Sequence, residues 1–592
     1  MDIYFELVRD GEGVRVACEE LGREAFLGLD TETTELDPYK GDIRLVQLSN
    51  GRKTFVFDML PFRENGGLRE NGDLAPLRSL IESDAQTKIL HNAKFDAKWL
   101  RHHLGCEIGN VFDTYLASQL IAAGDGERRH GLADVAQFFT GTTLDKTEQV
   151  SDWNAAELSS SQVEYAARDA AILPQIKEKL DERLKNDELE RVAKLEFECV
   201  MPIAEMELNG FAVDQEMWRA RLATVKTAQA KAADELQEML SAGVQQASLF
   251  GRSEINLDSQ QQVTAALSNL GIPVPETTRA WQLQPLAEEY PVVAKLLEYR
   301  GVQKQMTSFG ENFLEFVEPK TGRLHADFRQ IGAPTGRFSC SNPNLQQVPH
   351  DAEYRSCFLA PEGRKLVIGD YSQIELRILA EFSGDEKFIE AFISGADFHK
   401  ITASQVFNVK PDDVTDDQRS FAKRLNFGIV YGVGASRFGM MTGLSQTEAE
   451  NTMRRYFSTF RKLDAYLRDS ASRVTSERTA RTASGRMLRL RFDENDRQAV
   501  GAARRYGVNM PIQGTSADIL KIALRRLHNA FSGSTARLVN IVHDEVIIEC
   551  DDSECQGASM VLGQLMSEAG GEYITSLPVK VDTCVSESWV KY

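Results

Sequence analysis

No stretch of this 592-residue chain approaches the ~18 consecutive apolar residues of a membrane span. The opening MDIYFELVRD also lacks the basic and apolar regions of a secretory leader. Neither a membrane protein nor an exported one is expected. The eight cysteines are scattered and form no C-x-x-C pair. This speaks against a disulfide scaffold and a cysteine zinc site, and it fits a reducing compartment. Cys550 and Cys555, though close in sequence, read as two free thiols. An excess of basic charge is missing too. The formal net charge is −20, which is unlike a protein that simply coats nucleic acid. Local charge is another matter. Residues 473–505 carry nine Arg against Glu477, Asp493, Glu494 and Asp496, enough to track a phosphate backbone. The length calls for two or more cores, and the composition is that of an ordinary globular protein.

What is present centres on residues 365–380, KLVIGDYSQIELRILA. Leu366, Val367 and Ile368 form a buried-strand run that ends on Asp370, and Glu375 follows five residues later on a returning apolar segment. Residues 538–550, LVNIVHDEVIIEC, place His543, Asp544 and Glu545 between two β-branched runs, the pattern of a tight hairpin with acids at its turn. Carboxylates beside hydrophobic strands are costly unless a cation or hydrogen bonds compensate them. Asp370 and Asp544 therefore read as holders of a pair of Mg²⁺ ions about 3.5–4 Å apart. In RSFAKRLNFGIVYG, residues 419–432, Arg419, Lys423, Phe427 and Tyr431 recur every fourth residue and share a helix face. Two cations followed by two aromatics suit a triphosphate followed by a base.

In order and spacing these stretches resemble motifs A, B and C of the family A DNA polymerases, the bacterial DNA polymerase I family. The resemblance implies a right-hand polymerase domain of palm, fingers and thumb. It implies template-directed addition of deoxynucleotides to a primer 3′-hydroxyl, with Asp370, Asp544 and Glu545 as catalytic acids and Tyr371 joining Asp370 and Asp544 at the metals. Lys423 would hold the triphosphate with Arg419 and serve as proton donor to pyrophosphate. Gln373, Glu375, His399, Phe427, Tyr431 and His543 would face the nucleotide. Arg337, in the loop TGRFSCSNPNLQQVP, would lie near the primer end. Arg505, Asn509 and Gln513, four apart in RRYGVNMPIQGTSAD, would test base-pair shape in the minor groove. Phe421, Arg424 and Leu425 depart from the smaller residues usual in motif B and are expected off the substrate face.

Residues 1–190 alternate short strands and helices, an α/β pattern. Residues 26–29 lead into Asp30 and Glu32, which point to one side at strand period; 45–48 and 54–57 read as the next strands. A helix expected over 91–104 places Asn92 and Asp96 four apart, and one over 159–180 does the same for Tyr165 and Asp169. Four carboxylates brought together repel one another unless cations sit among them. In this order and spacing the set resembles the DEDD-type 3′–5′ exonucleases, the Tyr-containing branch of an RNase H-like fold. It implies Asp30, Glu32, Asp96 and Asp169 at two metals, Tyr165 orienting the attacking water, and Leu36 wedged against the terminal base.

Between these regions, a helix is expected from 191 through EFECVMPIAEMELNGFAVD, with a turn at Asn209 and Gly210, and 323–331 alternates as a strand. Two long helices with an irregular tip at 241–278 would form a thumb, whose NLDSQQQV resembles the family's thumb tip. The expected layout is an exonuclease domain over 1–190 and a polymerase domain over 191–592. Within the latter lie the thumb at 214–319, the palm at 320–384 and 498–592, and the fingers at 385–497. The resemblance further implies two Mg²⁺ in each site, with Mn²⁺ able to substitute, and primer-template DNA and deoxynucleoside triphosphates as partners. Replication accessory proteins join that set, and the enzyme would be a monomer. Its place would be the cytoplasm at the nucleoid, or a host's cytoplasm for a phage enzyme, with an organelle left open. No 5′-nuclease segment is expected. Two rivals are a single-subunit RNA polymerase and a nucleic-acid-binding protein whose only working site is the exonuclease. Glu375 speaks against the first, because a large acid there would exclude a 2′-hydroxyl, and the complete motif set speaks against the second.

Overall fold

A computed structural model describes residues 3–64, 67–69, 72–148, 151–241, 255–274 and 277–591. Its N-terminal part is built on a six-stranded mixed sheet. From edge to edge the strands are Tyr4–Val8, Lys53–Asp58, Ile43–Ser49, Phe26–Thr33, Thr87–Leu90 and Val111–Asp113. Ile43–Ser49 runs antiparallel to both neighbours, and the other pairings are parallel. The helix Ser160–Asn186 packs across this sheet, opened by a capping box between Ser159 and Gln162. Its inner face carries Ala166, Ala167, Ala170 and Ala171, so it can approach closely. Gly28 completes the fit: a Cβ there would lie 2.1 Å from the Ala170 carbonyl oxygen. That contact sets Asp169 over the strand that carries Asp30 and Glu32. The helix runs on to Asn186, past the expected residue 180, because Ile176, Leu180 and Leu184 continue its buried stripe.

The second part is built on a four-stranded antiparallel sheet ordered Arg537–Val542, Glu545–Asp551, Arg364–Tyr371 and Val581–Ser586. Leu366, Val367 and Ile368 are fully buried at its centre. Asp370 pairs in register with Glu545 on one side and Asp582 on the other. The helix Ile374–Ser383 follows at once, and Cys555–Gly571 packs against the same strand. Two long helices, Gln215–Ser241 and Pro291–Phe309, lie side by side where the thumb is expected. Part of the expected thumb tip, 242–254 and 275–276, lies outside the described residues. Its NLDSQQQV motif leads into the helix Gln260–Asn269 through a Ser259 cap. The helices Phe398–Phe407 and Asp416–Val430 pack together, and Arg497–Phe531 touches the second of them and packs against Cys555–Gly571 in the palm. Among the described residues no helix is long and apolar enough to cross a membrane.

Four expectations need correction. The helix expected from 91 begins at Ala93, because 87–90 join the sheet and Asn92 takes a left-handed φ of 65°. The helix from 191 is two, Glu190–Glu198 and Val200–Asn209. Pro202 lacks an N–H, and its ring displaces the carbonyl of Glu198, which breaks the ladder. The strand over 323–331 is two short strands in different sheets. Arg323–Leu324 pairs with Phe211–Ala212, and Asp327–Arg329 pairs with Ser339–Ser341. The chain turns between them, and the Phe328 N–H donates to Glu207 at 2.7 Å. The arginines of 473–505 are largely committed within the protein. Arg489 pairs with Asp187 at 2.7 Å, Arg491 with Asp125 at 3.3 Å and Arg478 with Glu494 at 2.6 Å, and Arg481 donates to the Asp187 carbonyl at 3.1 Å. Much of that charge therefore bonds this segment to the N-terminal part of the chain.

Arg486 is the most deeply placed of these arginines. It pairs with Glu196 at 2.5 Å and Asp518 at 2.6 Å, and Lys521 reaches Glu196 at 2.5 Å. All four groups are buried. Isolated charges so placed would be prohibitive, but two cations and two anions with shared hydrogen bonds compensate one another. Lys521 also donates to the carbonyls of Gln330 at 2.9 Å and Gly336 at 2.7 Å. Gly336 has a φ of 81° and leaves no room for a Cβ against the Arg486 guanidinium, so the cluster fixes the turn before Arg337.

Candidate active sites

The first site is a cavity of about 650 Å³ lined by Asp30, Glu32, Asn92, Asp96, Tyr165 and Asp169. Asp30 and Glu32 come from the second strand, Asp96 from the helix Ala93–Leu104, and Tyr165 and Asp169 from Ser160–Asn186. The sequence spacing thus converges in space. Asp96 is buried and accepts from the Thr31 hydroxyl at 2.7 Å; Asp30, Glu32 and Asp169 are partly buried on the cavity wall. Among the described residues no Lys or Arg pairs with any of the four. Burial and mutual repulsion act together. Asp30 and Glu32 are pushed well above the usual carboxylate range, Asp30 by burial and then by Asp96, Glu32 and Asp169. Burial raises Asp96 to about 7 and Asp169 to about 6, and Tyr165 hydrogen-bonds Asp169. Leu36 is 84 % exposed three residues past the end of the second strand, and it is not among the residues that line the cavity.

Two elements of this cavity are missing from the sequence reading. Asp113 accepts from the backbone N–H groups of Asn92, Ala93, Tyr115 and Leu116, and so fixes the loop that presents Asn92 and Asp96. A strand followed by Asp-Thr was a readable N-cap signal. The cavity's far wall is Asp327, Phe328, Arg329 and Gln330, more than 150 residues further along the chain. Lys94 ties that wall in place, reaching Asp327 at 2.5 Å, Glu207 at 2.6 Å and the Phe328 carbonyl at 2.7 Å. No local pattern announces such a contact.

The second site lies at the edge of the palm sheet. Asp370 ends the central strand, and Asp544 sits in the turn of the adjoining hairpin, where His543 takes a left-handed φ of 56°. Burial and then the Asp370 charge raise Asp544 to about 7. The Tyr371 N–H donates to the Asp544 carbonyl at 3.3 Å, which locks the two acids' backbones together. The Tyr371 hydroxyl points away, donating to the Met566 carbonyl at 2.7 Å, so only its main chain can serve a cation here. Glu545 is buried and already engaged: it accepts from the Trp589 indole at 2.5 Å, lies 3.5 Å from Arg355 and pairs with Lys591. Lys591 also reaches Asp370 at 2.6 Å.

From Asp544 the polar surface continues to buried Glu375, which pairs with Arg337 and hydrogen-bonds Tyr431. Burial raises the Glu375 carboxyl against the opposing pull of Arg337. Tyr431 lies just past the helix Asp416–Val430, and the next residue, Gly432, meets Arg505. Asn509 and Gln513 follow on the same helix as Arg505. Among the described residues Asn509 Oδ1 and Gln373 Oε1 are buried acceptors with no partner. Arg419 donates to Asp397 at 2.6 Å, and Lys423 is exposed one turn on. Phe427 lies 5.9 Å ring to ring from His399. His399 is buried, bonds Asn426 at 3.0 Å and is lowered by burial to about 4, so it is neutral at pH 7. Phe421 packs on Phe407 and Phe438, Leu425 is buried in the core, and Arg424 is exposed.

Among the described residues no three His, Cys, Asp or Glu side chains form a ready-made metal cage. The donor chemistry still fits divalent cations. The first site concentrates four carboxylates without a paired cation, and in the palm Asp544 stands unpaired beside Asp370.

Comparison with known proteins agrees across the chain. The 3′-5′ exonuclease family matches residues 5–185, and DNA polymerase family A matches 223–591. DNA polymerase I of Aquifex aeolicus is 32% identical over 620 residues, covering 99% of this chain and 100% of that one. DNA polymerase I of Pseudomonas aeruginosa is 30% identical over 618 residues, with 99% of this chain matching 66% of the longer relative. Among solved structures, the POL domain of Pol1 from M. smegmatis, in complex with DNA primer-template and dNTP, superposes with a TM-score of 0.85 at 28% identity, covering 99% of each chain. The chain belongs to DNA polymerase family A and carries a 3′–5′ exonuclease domain ahead of its polymerase domain.

Proposed function

We propose that the palm performs nucleotidyl transfer from a deoxynucleoside triphosphate to a primer 3′-hydroxyl, and that the 650 Å³ cavity removes mispaired primer ends by hydrolysis. The observation that carries the reading is the convergence of Asp370, Asp544, Glu375, Arg337 and Tyr431 on one surface from four separate stretches of chain. Divalent-metal dependence is general in both domain families. Mg²⁺, two ions per site, fits the donors, with Asp370, Asp544 and the Tyr371 carbonyl in the palm and Asp30, Glu32, Asp96 and Asp169 in the cavity. Bound there, such ions would acidify the attacking hydroxyl or water and neutralise the leaving group.

The remaining roles fall to the chain itself. Lys423 and Arg419 meet the triphosphate as charge-assisted donors, with Lys423 placed to protonate pyrophosphate as it leaves. Phe427 lies against the sugar. Glu375 beneath it leaves no space for a 2′-hydroxyl. Tyr431, which hydrogen-bonds Glu375, guards the templating position in this reading and gives way when the finger helix moves. His399, neutral and buried, supports the finger helix through Asn426 and can donate to a phosphate only from its other ring nitrogen. Arg505, Asn509, Gln513 and Gln373 supply donors and acceptors toward the minor groove. The amide oxygens of Asn509 and Gln373 have no partner among the described residues, so either amide is free to turn its N–H donors toward the groove's acceptors. In the cavity, Tyr165 orients water beside Asp169, with Asn92 and Leu36 gripping the terminal nucleotide. The reading places the enzyme on primer-template DNA as a monomer in the cytoplasm. Primer extension with deoxy- against ribonucleotides, with and without a mismatched end, tests it. Efficient ribonucleotide chains, or a mismatch that persists, would refute the corresponding half.

A further inference from the structure

The palm carboxylates are not bare in this structure. Lys591 sits between Asp370, at 2.6 Å, and Glu545. We propose that Lys591 is a built-in counter-ion of the palm: it holds the site between Asp370 and Glu545 while no nucleotide is bound, and a divalent cation has to displace it from Asp370 to enter. The proposal rests on the reading of Asp370 and Asp544 as the palm's cation ligands.

The placement of Lys591 is built rather than accidental. Two residues earlier, Trp589 is fully buried against Phe211 and Phe358. Its main-chain N–H donates to the Phe358 carbonyl at 3.0 Å, and Ser588 bridges to Leu359. The Arg355 guanidinium covers the indole at 4.2 Å. The root of Lys591 is therefore fixed, while its side chain remains 36 % exposed and able to swing. Glu545 is held on every side. One oxygen accepts from Trp589 at 2.5 Å, the other pairs with Lys591, and Arg355 stands 3.5 Å from both. Glu545 is thereby kept back, leaving Asp370 and Asp544 as the acids a cation can take. A lysine suits the task. Its ammonium is a point charge with three rotatable donors, so it can release Asp370 and stay on Glu545, whereas the rigid fork of an arginine would lock both. Lys591 is thus a positioning residue: it sets how strongly the palm binds a cation before nucleotide arrives, and it steadies Glu545 afterwards.

The test is Mn²⁺ binding to the full chain without nucleotide, read by electron paramagnetic resonance of the free ion. Asp30→Ala with Glu32→Ala serves as the background, to silence the exonuclease ions. In that background Lys591→Met should bind Mn²⁺ roughly two- to fivefold more tightly, the reach of a partly exposed ion pair. Lys591→Arg should bind no more tightly than its parent. Should Lys591→Met fail to fold, Lys591→Gln carries the same expectation. Unchanged or weaker Mn²⁺ binding in the neutral variant overturns the proposal, provided Asp370→Asn abolishes palm binding. If Asp370→Asn also binds as its parent does, the assignment of the palm acids is what fails.

Discussion

The two sites of this chain meet the same electrostatic problem and solve it differently. In the exonuclease cavity four carboxylates face one another with no paired Lys or Arg among the described residues, and all four are raised. In the palm, Asp370 and Glu545 share Lys591 and Arg355 stands by, while burial raises Asp544 and Glu375 beside them. The cavity stores uncompensated charge, which costs stability and favours any cation that arrives. The palm brings its own positive charge and exchanges it. A hydrolytic site needs only water and a strand end. A synthetic site must wait for template and triphosphate together, and a resident cation suits that wait.

The comparison breaks most sharply at the acids themselves. Asp370→Asn or Asp544→Asn should cut primer extension on the order of a thousandfold, with degradation of single strands intact. Near-normal extension by either variant would remove the palm from the chemistry. Asp30→Ala with Glu32→Ala should do the converse, abolishing removal of a mismatched primer end while synthesis continues. The same double variant should also melt later than wild type in metal-free buffer near pH 7, because it relieves repulsion; a lower melting temperature would contradict the stored-charge account.

Selectivity sharpens the contrast, since it belongs to the palm and fingers alone. Phe427→Tyr places a phenolic hydroxyl where a dideoxynucleotide lacks its own. It should improve dideoxy incorporation about ten- to a hundredfold, the worth of one hydrogen bond to a charged group. All four bases should respond alike, and exonuclease rates should not change. Incorporation ratios that stay at the wild-type value would place Phe427 away from the sugar.

The smallest effect concerns the joint between the two parts. His528 bonds Glu205 at 2.6 Å and Glu107 at 3.3 Å. Burial opposes its charge, but the two carboxylates prevail and raise it to about 9. A group raised in the folded state stabilises fully below its unfolded pKa near 6.5 and loses that contribution as pH rises toward 9. His528→Gln should therefore cost on the order of 1–3 kcal/mol at pH 6 and progressively less by pH 9. Denaturant titrations across that window would show the two proteins converging. A constant gap would mean that His528 acts by packing alone.

The reacting acids were legible because strand-end carboxylates and four-residue helix spacings are local patterns. Asp30, Asp96 and Asp169 had to converge once their strand and two helices packed, and Arg419, Lys423 and Phe427 had to share a face. Tyr431 fits the spacing only approximately, because the helix stops at Val430 and the chain turns at Gly432. What escaped the sequence was contact between distant segments. Nothing around Lys591 or Trp589 marks a partner two hundred residues away. The single strand expected over 323–331 divides because its halves pair with different neighbours, Phe211–Ala212 and Ser339–Ser341. The arginines of 473–505 looked free for phosphates, since no local signal reveals that Asp187 and Asp125 claim several of them.

The buried cluster of Arg486, Glu196, Asp518 and Lys521 bears on how far this enzyme can be divided. Lys521 grips the carbonyls of Gln330 and Gly336, and the short piece of chain between them borders both sites. Its beginning walls the exonuclease cavity, and its end aims Arg337 at Glu375. Cutting the chain near residue 190 would leave the excised exonuclease without one wall, and would strip Lys94 of Glu207 and Asp327. The two activities are chemically distinct but mechanically one piece, so neither should be expected to keep its native efficiency as an isolated fragment.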